Sequence, residues 1–139
     1  VDLGGFVLEQ TSSFVDFTIP AGTFVPHGGV LIVGRNATKA SFQTFYGKTL
    51  GTNVVYLNSA GQFPLINGSE TFTVFDPNFV VVDGATVAQP AAGLRTFSRV
   101  SCGTTSSLAA SWGSAATSTA GATPGTGPLP TGQNRICVT

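Results

Sequence analysis

The stretch TFVPHGGVLIVG, residues 23–34, decides how the rest of the chain is interpreted. It places the single histidine, His27, in a glycine-rich turn that leads into the apolar segment Val30–Val33. Glycine-rich loops that bind phosphate lead into a helix and carry further signature residues, such as Lys followed by Ser or Thr. Here the turn precedes a predicted strand and lacks those residues. We therefore predict a tight connection between two strands, with His27 as a solvated turn residue.

Length and charge set the broad class. The 139 residues are enough for one domain, predicted to span residues 1–139. Six basic residues balance six acidic ones, so no basic patch indicates nucleic acid, and no apolar run is long enough to span a membrane. Because only 9% of the residues are charged, we expect a secreted or cell-surface protein. Residue 1 is Val and Met is absent, which predicts an upstream leader or segment that has been removed.

Short apolar runs separated by turn residues predict a β-rich fold. The turn Asp76–Asn78 is expected to join two arms of a hairpin, because Pro and Asn occupy its central positions. One segment, Asn36–Tyr46, has aromatic residues at helical spacing and Gly47 as a stop, which predicts a short helix. Residues 101–134 are rich in Gly, Ser, Thr, Ala and Pro, which predicts an irregular C-terminal wrap. The predicted strands are residues 6–8, 14–19, 30–33, 54–57, 72–75 and 79–82.

The two cysteines, Cys102 and Cys137, have no metal-ligand spacing around them. A disulfide between them would close a loop of about 35 residues and stabilise the fold by roughly 4 kcal/mol on the chain-entropy model. Two buried thiols are the alternative.

Reactive residues form no catalytic pattern, so we predict that the chain is not an enzyme and binds no cofactor. The acids are scattered without a paired-carboxylate spacing, and no G-x-S-x-G elbow occurs. A calcium site built from Asp76, Asn78 and Asp83 stays open as an alternative, because their oxygen ligands lie close together in the sequence. The acids are Asp2, Glu9, Asp16, Glu70, Asp76 and Asp83.

Three further residues are singled out. Asn36 and Asn67 begin N-x-S/T sequons, and they are glycosylation sites by pattern. Trp112, the single tryptophan, is expected to anchor the C-terminal wrap in the core rather than to stack on a sugar.

An ordered succession of motifs resembles the lamin-tail domain family. In that family a D-L-S-G-W-x-L strand is followed by an F-x-I-P-x-G-T-x-L-x-P-G-G-Y-L-V-V hairpin and later by L-x-N-x-G-E-x-V-x-L-x-D. Arg99, Trp112, Thr123–Gly125 and Asn134 also fall in the order of the family's closing residues. The matching stretches here are VDLGGFVL (1–8), FTIPAGT (17–23), PHGGVLIV (26–33), LINGSETFTVFD (65–76) and VVD (81–83).

The resemblance implies an immunoglobulin-like sandwich of two antiparallel sheets, with Asp83 accepting backbone hydrogen bonds that hold a loop. Family members normally carry one or two further strands before the position of Asp2, so an exposed sheet edge is expected.

The resemblance to the lamin-tail family implies three candidate functions. The first is a non-catalytic interaction or attachment module, whose partner is a protein. The second is a self-assembling filament or surface-layer subunit, completed by a strand from a neighbouring chain. The third is the accessory domain of a secreted hydrolase.

Overall fold

The computed structural model describes residues 1–11, 13–65, 69–88, 97–101, 103–114 and 124–125. Within these ranges the chain is β-rich, with one short α-helix and an antiparallel sheet, as predicted. The strands are β1 (Val7–Gln10), β2 (Val15–Thr18), β3 (Val30–Gly34), β4 (Val54–Asn58), β5 (Phe72–Phe75), β6 (Val81–Asp83), β7 (Phe97–Arg99) and β8 (Trp112–Ser114).

The largest sheet has the strand order β2-β1-β5-β6, and all of its neighbours are antiparallel. Leu8 pairs with Phe17 on one side and with Val74 on the other, so these three apolar side chains share a face of the sheet. Phe17 is buried, and its ring contacts Phe63 with 5.6 Å between the ring centroids. Since Phe63 follows β4, this contact joins the sheet to the loop after β4.

The strands β3 and β4 pair in parallel, which corrects the prediction of antiparallel layers throughout. Helix α1 (Lys39–Tyr46) lies between them in the chain and packs on β4, where Phe42 contacts Tyr56 at 5.2 Å between centroids. Parallel neighbours need a crossover of this kind, because a two-residue turn can only reverse the chain.

Helix α1 begins and ends through local capping. The N-cap is Thr38, whose hydroxyl accepts from the Ser41 N–H at 3.1 Å, and Gly47 ends the helix in the left-handed conformation. The predicted stop is confirmed. The predicted start at Asn36 is three residues too early, because Thr38 supplies the capping side chain.

Two more boundaries differ from the predictions. The return arm of the β5–β6 hairpin begins at Val81, since Phe79 takes a left-handed conformation with φ 60° and cannot continue a strand. The segment predicted as an irregular wrap contains a 3₁₀ turn at Ala109–Ser111 followed by β8, which pairs with β7. Residues 102, 115–123 and 126–134 of that segment lie outside the described residues.

Candidate functional site

A cleft of about 420 Å³ opens beside the turn between β1 and β2. We call it the hairpin cleft. One wall comes from the end of β1, the turn that follows it and the start of β2. The other comes from the loops that follow β3 and β4 and from Glu70, two residues before β5. It is lined by Gln10, Ser13, Val15, Arg35, Gly61, Gln62, Phe63, Pro64, Leu65 and Glu70.

Hydrogen bonds hold the loop wall of the cleft in place. The Arg35 carbonyl accepts from the Ser59 hydroxyl at 2.9 Å and from the Gly61 N–H, and the Ser59 hydroxyl accepts from the Phe63 N–H at 3.0 Å. In return, Nε of Arg35 donates to the Phe63 carbonyl at 3.0 Å. Because both partners of each bond lie in the loops after β3 and β4, the wall is organised without a ligand.

Gln10 is the most deeply placed polar side chain on the strand wall. It is the last residue of β1, and only 6% of it is exposed. No hydrogen bond joins its side-chain amide to another residue in the ranges that the structure describes. The amide atoms are not among the fully buried side-chain atoms without a partner in the described residues, so they meet the solvent of the cleft.

Asp83 belongs to a second polar cluster at the other side of the sheet. Its carboxylate Oδ1 accepts from the Arg99 guanidinium at 2.7 Å, and the Arg99 guanidinium lies 5.1 Å from the centroid of the Trp112 ring. Within the described residues, the hydrogen bond to this carboxylate comes from the Arg99 side chain rather than from backbone N–H groups. The arginine of β7 takes that place and links β6 to the β7–β8 hairpin.

Asp76 caps the turn between β5 and β6. Its Oδ1 accepts from the N–H groups of Asn78 and Val80, each at 2.8 Å. The hydrogen bond from Val80 contributes most to lowering the pKa of Asp76 below the usual aspartate value, and those from Asn78 add to it. This carboxylate is used to hold the turn.

These contacts also bear on the calcium alternative. The Oδ1 atoms of Asp76 and Asp83 are engaged by the turn and by Arg99 respectively. In the described ranges, no group of three or more His, Cys, Asp or Glu residues could hold a metal ion.

The pKa of Asp76 predicts a measurable pH effect. A carboxylate whose folded-state pKa is depressed stabilises the fold above its unfolded-state pKa, and this contribution is lost as the pH falls through the folded-state value. Asp76→Asn is therefore expected to flatten the acid limb of a plot of unfolding free energy against pH, measured by urea titration. Asn78→Ala is the control, since it keeps both backbone N–H donors and removes only the smallest contribution, that of the Asn78 side chain, so it should keep most of the acid limb. An unchanged acid limb in Asp76→Asn would contradict the assignment.

The remaining predicted residues are dispersed. His27 lies exposed in a turn closed by the Gly29 N–H, which donates to the Pro26 carbonyl at 2.8 Å. Asn36 is exposed just before the N-cap of α1, while Asn67, Cys102 and Cys137 lie outside the described residues. Trp112 is half-buried, and its indole N–H donates to the Ser106 carbonyl at 2.8 Å.

Sequence reasoning missed the hairpin cleft. Gln10 and Arg35 carry no motif, and residues from four separate parts of the chain meet there. The sequence offers only a weak signal for the cleft: Gln10 comes shortly after the apolar residues of the first predicted strand, and the aromatic Phe14 follows four residues later.

No helix in the described ranges combines the length and the apolar character that crossing a membrane requires. Comparisons of the chain with protein-family models, curated proteins and solved structures found no match.

Proposed function

We propose that this chain is a non-catalytic interaction module of the lamin-tail type, with an immunoglobulin-like sandwich, that works outside the cell or at its surface. The motif succession described above supports the family, and the low fraction of charged residues supports the location. The module contacts a protein partner through its sheet edge and the adjoining hairpin cleft.

One observation carries the proposal: Phe14, the last residue of the β1–β2 turn, is 79% exposed and has φ 52°. A left-handed backbone costs a bulky residue about 1–2 kcal/mol, and an exposed aromatic ring recovers little of that through burial. Neither folding nor solubility favours Phe here. Aromatic side chains held out in this way are typical anchors of protein interfaces.

The experiment replaces the ring with a residue that suits the backbone. Asn adopts the left-handed conformation more readily than Phe, so Phe14→Asn is expected to raise the free energy of unfolding by about 0.5–1 kcal/mol. Urea titration measures the change.

The matched control is Phe45→Asn, since Phe45 is 63% exposed but lies in α1 and contacts Tyr46 edge-on at 5.0 Å. That substitution should lower stability by about 0.5–1 kcal/mol through lost packing and helix propensity. If Phe14→Asn destabilises the chain as Phe45→Asn does, Phe14 is a packing residue and no longer supports the proposal.

Self-assembly is a second candidate, favoured by exposed apolar residues at both edges of the four-stranded sheet as the described residues form it. Val15 lies in the edge strand β2, and Val81 lies in the edge strand β6. Neither strand contains the Lys or Pro that commonly blocks edge pairing. Light scattering of the wild-type chain over a range of concentrations separates this candidate from a monomeric module.

A further inference from the structure

Charged residues are segregated between two parts of the chain. The segment 17–69, which contains β3, α1 and β4, has no acidic residue, and its Lys and Arg residues are exposed. Residues 1–16 and 70–83, which form most of the four-stranded sheet, contain every acidic residue and no Lys or Arg. Because the whole chain is neutral, each part carries the charge that complements the other. The Lys and Arg residues of 17–69 are Arg35, Lys39 and Lys48.

The acidic residues include a like-charged pair on one face of the sheet. Glu9 of β1 lies directly opposite Asp16 of β2, and its neighbour on β5 is the uncharged Thr73. Like charges at opposed positions of neighbouring strands destabilise a sheet. Within the described ranges, no basic side chain forms an ion pair with either carboxylate. Folding therefore gains nothing from this pair, which we call the acidic patch.

The basic residues around α1 also oppose local stability. Lys39 is the first residue of α1, where the positive end of the helix dipole disfavours a cation, and the first turn contains no acid to offset it. Lys48 lies exposed just after the helix, and the ring of Phe45, which is 63% exposed, lies between the two lysines in the sequence. Neither lysine forms an ion pair with a described residue. We call Lys39, Phe45 and Lys48 the basic patch.

The two patches lie on different surfaces of the molecule. Phe17 is on the face of the four-stranded sheet that contacts Phe63, in the loop after β4. Because side chains alternate along a strand, Glu9 and Asp16 point to the opposite face. Helix α1 packs on β4. The acidic patch therefore faces away from the part of the molecule that carries the basic patch.

We propose that the basic patch of one copy docks on the acidic patch of a second copy, so that identical chains associate head to tail. A second copy explains both patches, whereas an anionic partner would explain the lysines alone. Local conflicts of this kind are expected at functional sites. Because the contact joins unlike surfaces, each bound copy presents a free patch again, and association continues beyond a dimer unless a ring closes. The inference rests on the self-assembly candidate and places its joint at the charged patches.

Light scattering of the wild-type chain over a range of concentrations tests the association. The mean mass is expected to rise past that of a dimer as the concentration increases. Raising the salt from about 0.01 M to about 0.1 M shortens the Debye length from about 30 Å to about 10 Å, so the affinity should fall about tenfold. Assembly that stops at a dimer would overturn the head-to-tail arrangement.

Charge reversal tests each patch. Lys39→Glu and Asp16→Lys each bring like charges together, so either variant alone should associate about tenfold more weakly or worse. In an equimolar mixture, the intact basic patch of one variant meets the intact acidic patch of the other, and association should return to within about threefold of wild type. Both folds should persist in thermal unfolding, since Lys39→Glu suits the helix dipole and Asp16→Lys removes the like-charged pair. A mixture that stays monomeric would overturn the proposal.

Asp2→Lys is the matched control for net charge. Asp2 is an exposed acid outside the acidic patch, and its substitution changes the net charge by the same amount as Asp16→Lys. Self-association of this variant should weaken by less than about threefold. If Asp2→Lys and Asp16→Lys weaken association equally, net charge rather than the acidic patch governs it, and the proposal fails.

Other outcomes separate this inference from the candidate on which it rests. Association that responds neither to salt nor to the two reversals would overturn the charged interface and leave assembly through the strand edges standing. A chain that stays monomeric up to about 1 mM would overturn both. If that monomer bound phosphatidylserine vesicles and Lys39→Glu abolished the binding, the basic patch would serve an anionic surface instead of a second copy.

Discussion

Gly34→Ala is expected to lower the free energy of unfolding by about 3 kcal/mol, the largest loss we predict for a single added methyl group. A Cβ at Gly34, the last residue of β3, would overlap the Tyr56 hydroxyl and lie 2.9 Å from the Tyr56 ring carbon Cζ. The hydroxyl cannot move aside freely, because it donates to the Ala37 carbonyl at 2.9 Å. Overpacking costs about 1–3 kcal/mol, and loss of that hydrogen bond adds about 1 kcal/mol.

Tyr56→Phe supplies the control for this prediction. Alone, it should cost about 1 kcal/mol, because the Ala37 carbonyl loses its donor. In the Gly34→Ala background it should cost nothing or restore stability, since it removes the atom that the new Cβ overlaps. A double-mutant cycle from urea titrations measures this coupling, and strictly additive losses would contradict the steric explanation.

The hydroxyl of Tyr56 offers an independent readout. Burial raises its pKa above the usual tyrosine value, and the nearby Tyr46 raises it further. If Gly34→Ala expels the Tyr56 ring from its place against Phe42, the spectrophotometric titration of this hydroxyl should move back towards the usual value.

Local sequence patterns predicted the elements that local physics determines. Helix α1 follows from aromatic residues at helical spacing, and its end follows from Gly47, which takes φ 60° at low cost. The hairpin around Asp76 follows from Pro77 and Asn78, because an aspartate at the start of a turn can accept from the N–H groups beyond it.

Strand direction was not predictable from the same patterns. The sequences Val30–Gly34 and Val54–Asn58 are both short and largely apolar, and such sequences occur in parallel and in antiparallel pairs. Their pattern therefore does not indicate the direction of pairing. The connection between the two strands decides their direction. It contains α1 and is long enough to return the chain to the end of β3 at which that strand begins, so β4 can run parallel to β3. The strand β8 was missed for another reason: Trp112-Gly113-Ser114 has no apolar alternation, and its pairing with β7 depends on distant residues.

The cleft lay furthest from sequence prediction. Its walls depend on how the loops after β3 and β4 approach the β1–β2 turn, and hydrogen bonds such as that from Arg35 to the Phe63 carbonyl fix this approach. Such long-range contacts leave no periodic signal in a single sequence. Gln10 belongs to the cleft only because β1 ends there, and that placement is visible in three dimensions alone.

Trp112→Ala is expected to cost about 3 kcal/mol, because one side chain connects three parts of the chain. Its indole N–H donates to the Ser106 carbonyl, which also accepts from the Val87 N–H at 3.1 Å. Its ring lies against the Arg99 guanidinium, which in turn binds Asp83. Removing a large aromatic ring costs about 3–5 kcal/mol in a core, and the half-exposed position places this one at the lower end.

Two further variants divide that loss by cause. Trp112→Phe retains a ring over Arg99 and removes the indole N–H, so it should cost about 1–1.5 kcal/mol. Leu108→Ala, four residues earlier and 57% exposed, is the matched control and should change stability by less than about 0.5 kcal/mol. Calorimetry follows unfolding in all three variants, since two of them lack the single tryptophan as a fluorescent probe.

The distribution of the loss distinguishes an anchor from an ordinary surface contact. If Trp112 fastens the β7–β8 hairpin to β6 through Arg99 and Asp83, Trp112→Ala should speed amide exchange in β7 and β8 well before it affects β1 and β5. In Trp112→Phe the amides of β7 and β8 should also exchange faster, but by a smaller factor, because the cation–π contact with Arg99 is preserved. A loss in Trp112→Ala no larger than that in Leu108→Ala would mean that pairing between β7 and β8 holds the hairpin without the tryptophan.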